Sequence, residues 1–161
     1  MRASSPTHEE ARLPTDGRIE IIARGALIRG GSVLVCRSTK HGYAYLPGGH
    51  VEFGETAEAA LARELDEECG LKVRAKDCAI VHEHMFEQRG TRRQEYTLVF
   101  HMEHLGPPEA LDDVRSREED LAFEWMDLAS VGDQDLRPDA QKAWLMAGAP
   151  LPEDFLVTSS P

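Results

Sequence analysis

Glu64, Glu67 and Glu68 stand at i, i+3 and i+4 in a stretch, Thr56 to Glu68, otherwise rich in Ala, Leu, Arg and Glu. These residues favour a helix. At about 100° per residue the three carboxylates share one face of it, directed to the surface. Like charges so spaced cost roughly 0.2–0.5 kcal/mol per pair in an isolated helix, and Arg63, four before Glu67, offsets only part of that. Crowded hard oxygen donors ask for a cation and suit Mg²⁺ or Mn²⁺. An ion held this way can orient or activate water. A solvated acidic face is the ordinary meaning of a charge run; the frame of Gly49, Glu55 and Gly70 around this one argues against it.

That frame is specific. Gly49, Glu55, Arg63, Glu64, Leu65, Glu67, Glu68, Gly70 and Leu71 are nine constrained positions within 23 residues. Together they resemble the full signature of the Nudix hydrolases, which cleave a nucleoside diphosphate linked to another group. The resemblance implies that Glu64, Glu67 and Glu68 are the core ligands of Mg²⁺ or Mn²⁺, with Glu64 or Glu68 alternatively acting through a water. A backbone carbonyl at Gly48 or Gly49 is implied as a further ligand. Arg63 is expected to orient the helix glutamates, and Glu55 to tie the loop to the helix. Many relatives add a glutamate six residues before a tryptophan, which here is Glu119 before Trp125, with Glu118 beside it as the alternative. Glu95 and Glu103 are weaker candidates. The expected catalytic set is thus Arg63, Glu64, Glu67, Glu68 and Glu119; the metal set is Gly49, Glu64, Glu67 and Glu68. The ion would neutralise a pyrophosphate and promote attack of water on phosphorus.

The substrate is less legible. The proline that marks many ADP-ribose hydrolases is missing between Lys72 and Leu105, and Met85-Phe86-Glu87 stand where dinucleoside polyphosphate hydrolases often carry a tyrosine. The extra motif of coenzyme A hydrolases is not visible before Gly48. Nucleoside triphosphates (damaged ones included) and nucleotide sugars remain, with ADP-ribose reachable by another pocket design. A second class of function is a non-catalytic Nudix-fold nucleotide-binding regulator. The intact glutamate cluster favours the enzyme, and many relatives are homodimers.

Other residues invite functional readings that compete with plainer ones. His82 and His84 alternate on one strand, and His101 and His104 follow on the next; soft metal ligation competes with satisfied strand histidines. Arg89, Arg92 and Arg93 crowd a hairpin tip, as a phosphate clamp or a solvated turn. Tyr43 and Tyr45 flank the glycine turn, to stack on a base or to pack. Trp125 and Trp144 are expected in the core.

The elements that must position these groups follow from local pattern. Thr56 is a plausible helix N-cap and Gly70 a left-handed C-cap. Ala57, Leu61 and Leu65 give that helix an apolar face. Ile19 to Ile28 and Ser32 to Arg37 read as strands joined at Gly30-Gly31. Tyr43 to Leu46 runs into the Pro47-Gly48-Gly49 turn. Leu71 to Ala75, Cys78 to Phe86 and Gln94 to Glu103 read as further strands, with a polar tip over Glu87 to Arg93. Glu109 to Asp120 reads as a charged loop, Leu121 to Met126 as the last strand. Leu128 to Val131 is a short turn, and Pro138 opens a helix that Gly148 stops. The order fits the fold that the resemblance implies, an α/β/α sandwich with a mixed sheet between helices. One domain over 18–148 is expected, with tails at 1–17 and 149–161.

Hydrophobic residues make up 41% and charged residues 29%, which suits a soluble globular chain. A net charge of −11 argues against nucleic acid or an anionic membrane as partner, and makes a small anionic substrate depend on metal and local basic groups. Three cysteines without ligand spacing, and no apolar signal core or membrane-length run, point to a reduced, cytoplasmic protein.

Overall fold

Thr56 closes the start of the helix as its side chain predicts: its Oγ1 accepts from the Ala59 amide at 3.2 Å. Gly70 ends it at φ 75°, its N–H bonded to the Asp66 carbonyl. Between them lies α1, Ala57–Cys69, whose Ala60, Leu61 and Leu65 are buried. The computed structural model describes residues 18–88 and 90–152. The tail expected at 1–17, most of the one at 149–161, and Arg89 lie outside the described residues.

Eight strands accompany α1: β1 (Arg18–Ala26), β2 (Ile28–Arg29), β3 (Ser32–Ser38), β4 (Ala44–Tyr45), β5 (Gly48–His50), β6 (Val73–Gln88), β7 (Thr91–His104) and β8 (Leu121–Asp127). The second helix, α2, is Asp139–Met146, and 3-10 turns cover Pro108–Leu111 and Val131–Asp133. One sheet has the order β5-β1-β7-β6 and is mixed, with β1 and β7 parallel and the other pairs antiparallel. In the other, β3 pairs antiparallel with β2, β4 and β8.

The mixed sheet is buried on both faces. On one, Ala23, Phe100 and Met102 meet Leu61 and Leu65 of α1. On the other, Ala26 and Val99 meet Val33 and Val35 of β3 and Trp144 and Leu145 of α2. This is the layered α/β arrangement expected. Trp144 is buried and its Nε1 donates to the Pro150 carbonyl at 2.9 Å, while half-buried Trp125 donates to the Leu111 carbonyl at 2.9 Å.

Several boundaries differ from the local reading. Gly48 and Gly49, expected in a turn after Pro47, belong to strand β5, because they pair antiparallel with Arg24 and Ala23 of β1. The polar tip expected over Glu87 to Arg93 is shorter, since β6 runs to Gln88 and β7 starts at Thr91. The strand expected over Ile19 to Ile28 breaks at buried Leu27, where the chain leaves one sheet for the other. The two strands expected over Leu71 to Phe86 are one, β6; bulges between Ala75 and Cys78 and between Cys78 and Ile80 absorb the polar Lys76-Asp77 that looked like a break. All three cysteines are free, Cys36 and Cys78 buried. Among the described residues no helix is long and apolar enough to cross a membrane.

Candidate active site

Strand β5, the loop after it and α1 are locked together by one guanidinium. Arg63 donates to Glu55 through Nε at 3.2 Å and Nη2 at 2.7 Å, and Nη2 also reaches the His50 carbonyl at 3.0 Å. Its Nη1 donates to Glu64 at 2.9 Å and Glu67 at 3.2 Å. Glu55 also accepts from the Glu52 amide at 2.9 Å. The Arg63 hydrogen bonds hold the Glu55 carboxyl below the usual carboxylate range and push the guanidinium pKa up. A charge-assisted fork of this kind fixes direction as well as energy.

Gly49 is needed by what faces it: a Cβ there would lie 2.4 Å from Glu64 Cδ. Gly48, at φ 126°, has the Ala23 carbonyl oxygen 2.1 Å from where a Cβ would be. Its own carbonyl accepts from Arg24 Nη1. Arg24, from β1, also sits over the Tyr45 ring, 5.0 Å from its centroid.

Glu68 differs from its two helix neighbours. The surface direction expected of it is wrong: Glu67 is exposed, but Glu68 is half-buried, and its Oε2 is buried with no hydrogen-bond partner among the described residues. Burial raises its pKa to about 7; Arg24 opposes the rise, and the charges of Glu118, Glu64 and Glu67 add to it. Glu68 lines a cleft together with Glu64 and with Gly48 and Gly49 of β5.

Glu118 is placed by Arg117, whose amide donates to the Glu68 carbonyl at 2.7 Å and whose Nη1 donates to the Asp66 carbonyl at 2.7 Å. Glu119, on the same exposed loop, contributes its carbonyl to Thr39 Oγ1 at 3.4 Å, and its charge is not among the largest influences on Glu68. Among the described residues no group of three or more His, Cys, Asp or Glu side chains is arranged to hold a metal ion. Glu64 and Glu67 both turn to Nη1 of Arg63. The donor set is still that of a hard cation, and the orphaned Glu68 oxygen is an open acceptor within it.

A cleft of about 680 Å³ opens from Glu64 and Glu68 across the sheet. Arg24, Tyr43, Tyr45, His82, His84, Phe86, Glu95 and, from the α2 end, Arg137 and Gln141 line it. The local reading found the tyrosines, His82, His84 and Glu95, but missed Arg24, Arg137 and Gln141. No short motif marks them, because strand pairing and the docking of α2 bring them in.

The remaining candidates go elsewhere. His82 pairs in register with Thr97 and His84 with Glu95, so His101 is out of reach; it contacts the Ala149 carbonyl at 3.0 Å. Arg93 pairs with Glu20 at 2.9 Å, Arg92 is exposed, and Glu103 pairs with Arg74 and Lys76.

A mixed sheet between helical layers, with a glutamate helix locked to a glycine turn, defines the class. The chain matches the NUDIX domain over residues 20–146 and belongs to that family. It is 50% identical over 58 residues to a Mycobacterium tuberculosis protein provisionally named 8-oxo-dGTP diphosphatase 2; the match spans 34% of this chain and 41% of that protein. Its fold is similar to that of a NUDIX hydrolase from Nitrosomonas europaea, with a TM-score of 0.62 and 18% identity over 88% of this chain and 98% of that one. It is similar also to the MutT protein of Methanosarcina mazei Go1, with a TM-score of 0.61 and 22% identity over 84% of this chain and 94% of that one.

Proposed function

We propose that this chain hydrolyses the pyrophosphate bond of a nucleoside triphosphate with the help of a divalent cation. Glu68 carries the reading: a half-buried carboxylate with an orphaned oxygen and a pKa of about 7, at the end of a cleft large enough for a nucleotide. The 50% identity to a protein named as a diphosphatase of an oxidised nucleoside triphosphate supports the triphosphate over a nucleotide sugar or ADP-ribose.

Glu64, Glu67 and Glu68 would hold Mg²⁺ or Mn²⁺, with Glu118 the loop acid better placed than Glu119 to add charge. The bound ion would supply neutralisation of phosphate charge and a lower barrier to attack by water. Arg63 holds Glu64 and Glu67 in place from the Glu55 side. Arg24 offers the cleft a positive charge for a phosphate oxygen. Glu68, half-buried in the cleft with an unpartnered oxygen among the described residues, would accept the proton of the attacking water. The water oxygen bonds to phosphorus, the bridging P–O bond breaks, and its electron pair leaves on the departing phosphate.

Release of phosphate tests this, through a coupling pyrophosphatase for normal and oxidised nucleoside triphosphates and a coupling phosphatase acting on the monoester products of nucleotide sugars, ADP-ribose and dinucleoside polyphosphates, each with Mg²⁺, Mn²⁺ or EDTA. Metal-dependent turnover of a triphosphate is expected. Turnover of a sugar nucleotide or ADP-ribose alone overturns the substrate class. A folded, metal-binding protein with no turnover points to a binder.

A further inference from the structure

The last turn of α1 carries no basic residue, and its final carbonyls need donors from another part of the chain. Arg117 supplies them from 51 residues away in sequence: its Nη1 donates to the Asp66 carbonyl at 2.7 Å, and its amide donates to the Glu68 carbonyl at 2.7 Å. The guanidinium thereby places a positive charge at the negative end of the helix. It lies beside Gly70, where an added Cβ would collide with its Nη2. Glycine at that position therefore does two things: it takes up φ 75° and it leaves room for Arg117.

From Asp113 to Glu118, among the described residues, the hydrogen bonds that reach the rest of the molecule are those of Arg117. The others stay inside the loop, from Arg115 to Asp113 and between Ser116 and Glu118, while Val114 packs against the core. Glu118 follows Arg117 directly. Burial chiefly raises the Glu68 pKa; of the charges that add to it, that of Glu118 is larger than that of Glu64 or Glu67. Resting on the reading above that the α1 glutamates and Glu118 hold the ion, we propose that Arg117 is a positioning residue: it latches the 112–120 loop to the end of α1, keeps the Glu118 charge beside Glu68, and so sets how tightly a divalent cation binds. Arg117 acts through Glu118, so its contribution vanishes once Glu118 loses its charge.

Mn²⁺ binding to the full chain without nucleotide, followed by the electron paramagnetic resonance of the free ion, tests this apart from turnover. Arg117→Ala should bind Mn²⁺ about tenfold more weakly, and Glu118→Gln should lose a similar factor. Arg117→Ala added to Glu118→Gln should lose little more. A merely structural arginine would lower the melting temperature and leave the ion affinity unchanged in both backgrounds. Gly70→Ala, which puts a methyl where the guanidinium lies, should weaken Mn²⁺ binding in the wild type and not in Arg117→Ala. Should Arg117→Ala fail to fold, Arg117→Lys, which keeps the charge but loses the planar head, takes its place with a smaller loss. Wild-type affinity in Arg117→Ala or in Glu118→Gln, losses that multiply in the double variant, or no Mn²⁺ binding by the wild type overturns the proposal. Absent hydrolysis with the coupled losses retained sinks only the catalytic reading; hydrolysis with Mn²⁺ affinity unchanged in Arg117→Ala sinks only this one.

Discussion

Glu68 is unlike Glu67, one residue away, because one lines the cleft half-buried and the other is exposed. Removing its charge tests its role: Glu68→Gln should lower kcat by about a hundredfold or more while leaving the fold intact by circular dichroism. Near-normal turnover would remove Glu68 from the site. Its titration also links pH to stability. Burial raises its folded-state pKa to about 7 from an ordinary 4.5, so folding disfavours the ionised form. Relative stability is therefore fully present below about pH 4.5 and is lost as pH rises through about 7. In EDTA, the melting temperature of the wild type should fall relative to that of Glu68→Gln across this window. Parallel pH profiles would mean that the carboxylate is not perturbed.

At the scale of elements, α1 and the glycine turn depend on local chemistry that can be removed piece by piece. Thr56→Ala deletes the N-cap and should cost about 1 kcal/mol in urea denaturation; an unchanged midpoint would show that the cap is dispensable. The two adjacent glycines should fail differently. At Gly48 the added methyl meets the rigid Ala23 carbonyl at a positive φ, so Gly48→Ala should chiefly lower stability. At Gly49 it meets the movable end of Glu64, so Gly49→Ala should chiefly lower kcat/KM, with a smaller loss of melting temperature. Equal losses of stability in the two variants would count against this division. The caps, the glycine frame and the 3.6-residue apolar stripe are legible in the amino-acid sequence because each is decided within a few residues. The continuity of β6 is not, since its Lys76-Asp77 interruption is absorbed by bulges that exist only against β7.

Across the whole molecule, the chain carries a net charge of −11, and one nitrogen of Arg63 gathers Glu64 and Glu67 where the proposed function needs a cation. An ion that binds the folded state and not the unfolded one raises stability by mass action. Millimolar Mg²⁺ or Mn²⁺ should therefore raise the melting temperature of the wild type, and far less that of Glu68→Gln. An equal rise in both would mean that the ion binds elsewhere. The layered fold that makes this possible buries both faces of the mixed sheet, and the switch of sheets at Leu27 lets β1 serve one layer while β3 serves the next.

By itself the sequence determined the family frame, the capped helix that carries the glutamates and their spacing along it, because capping, periodicity and charge spacing act over short range. Only the tertiary structure decided that Glu68 turns inward while Glu67 does not, and that Arg117 brings Glu118 toward it. It also placed Arg24 and Gln141 in one cleft, from β1 and α2, 117 residues apart in sequence. Those outcomes follow from strand register and helix docking, which join residues with no local reason to be neighbours.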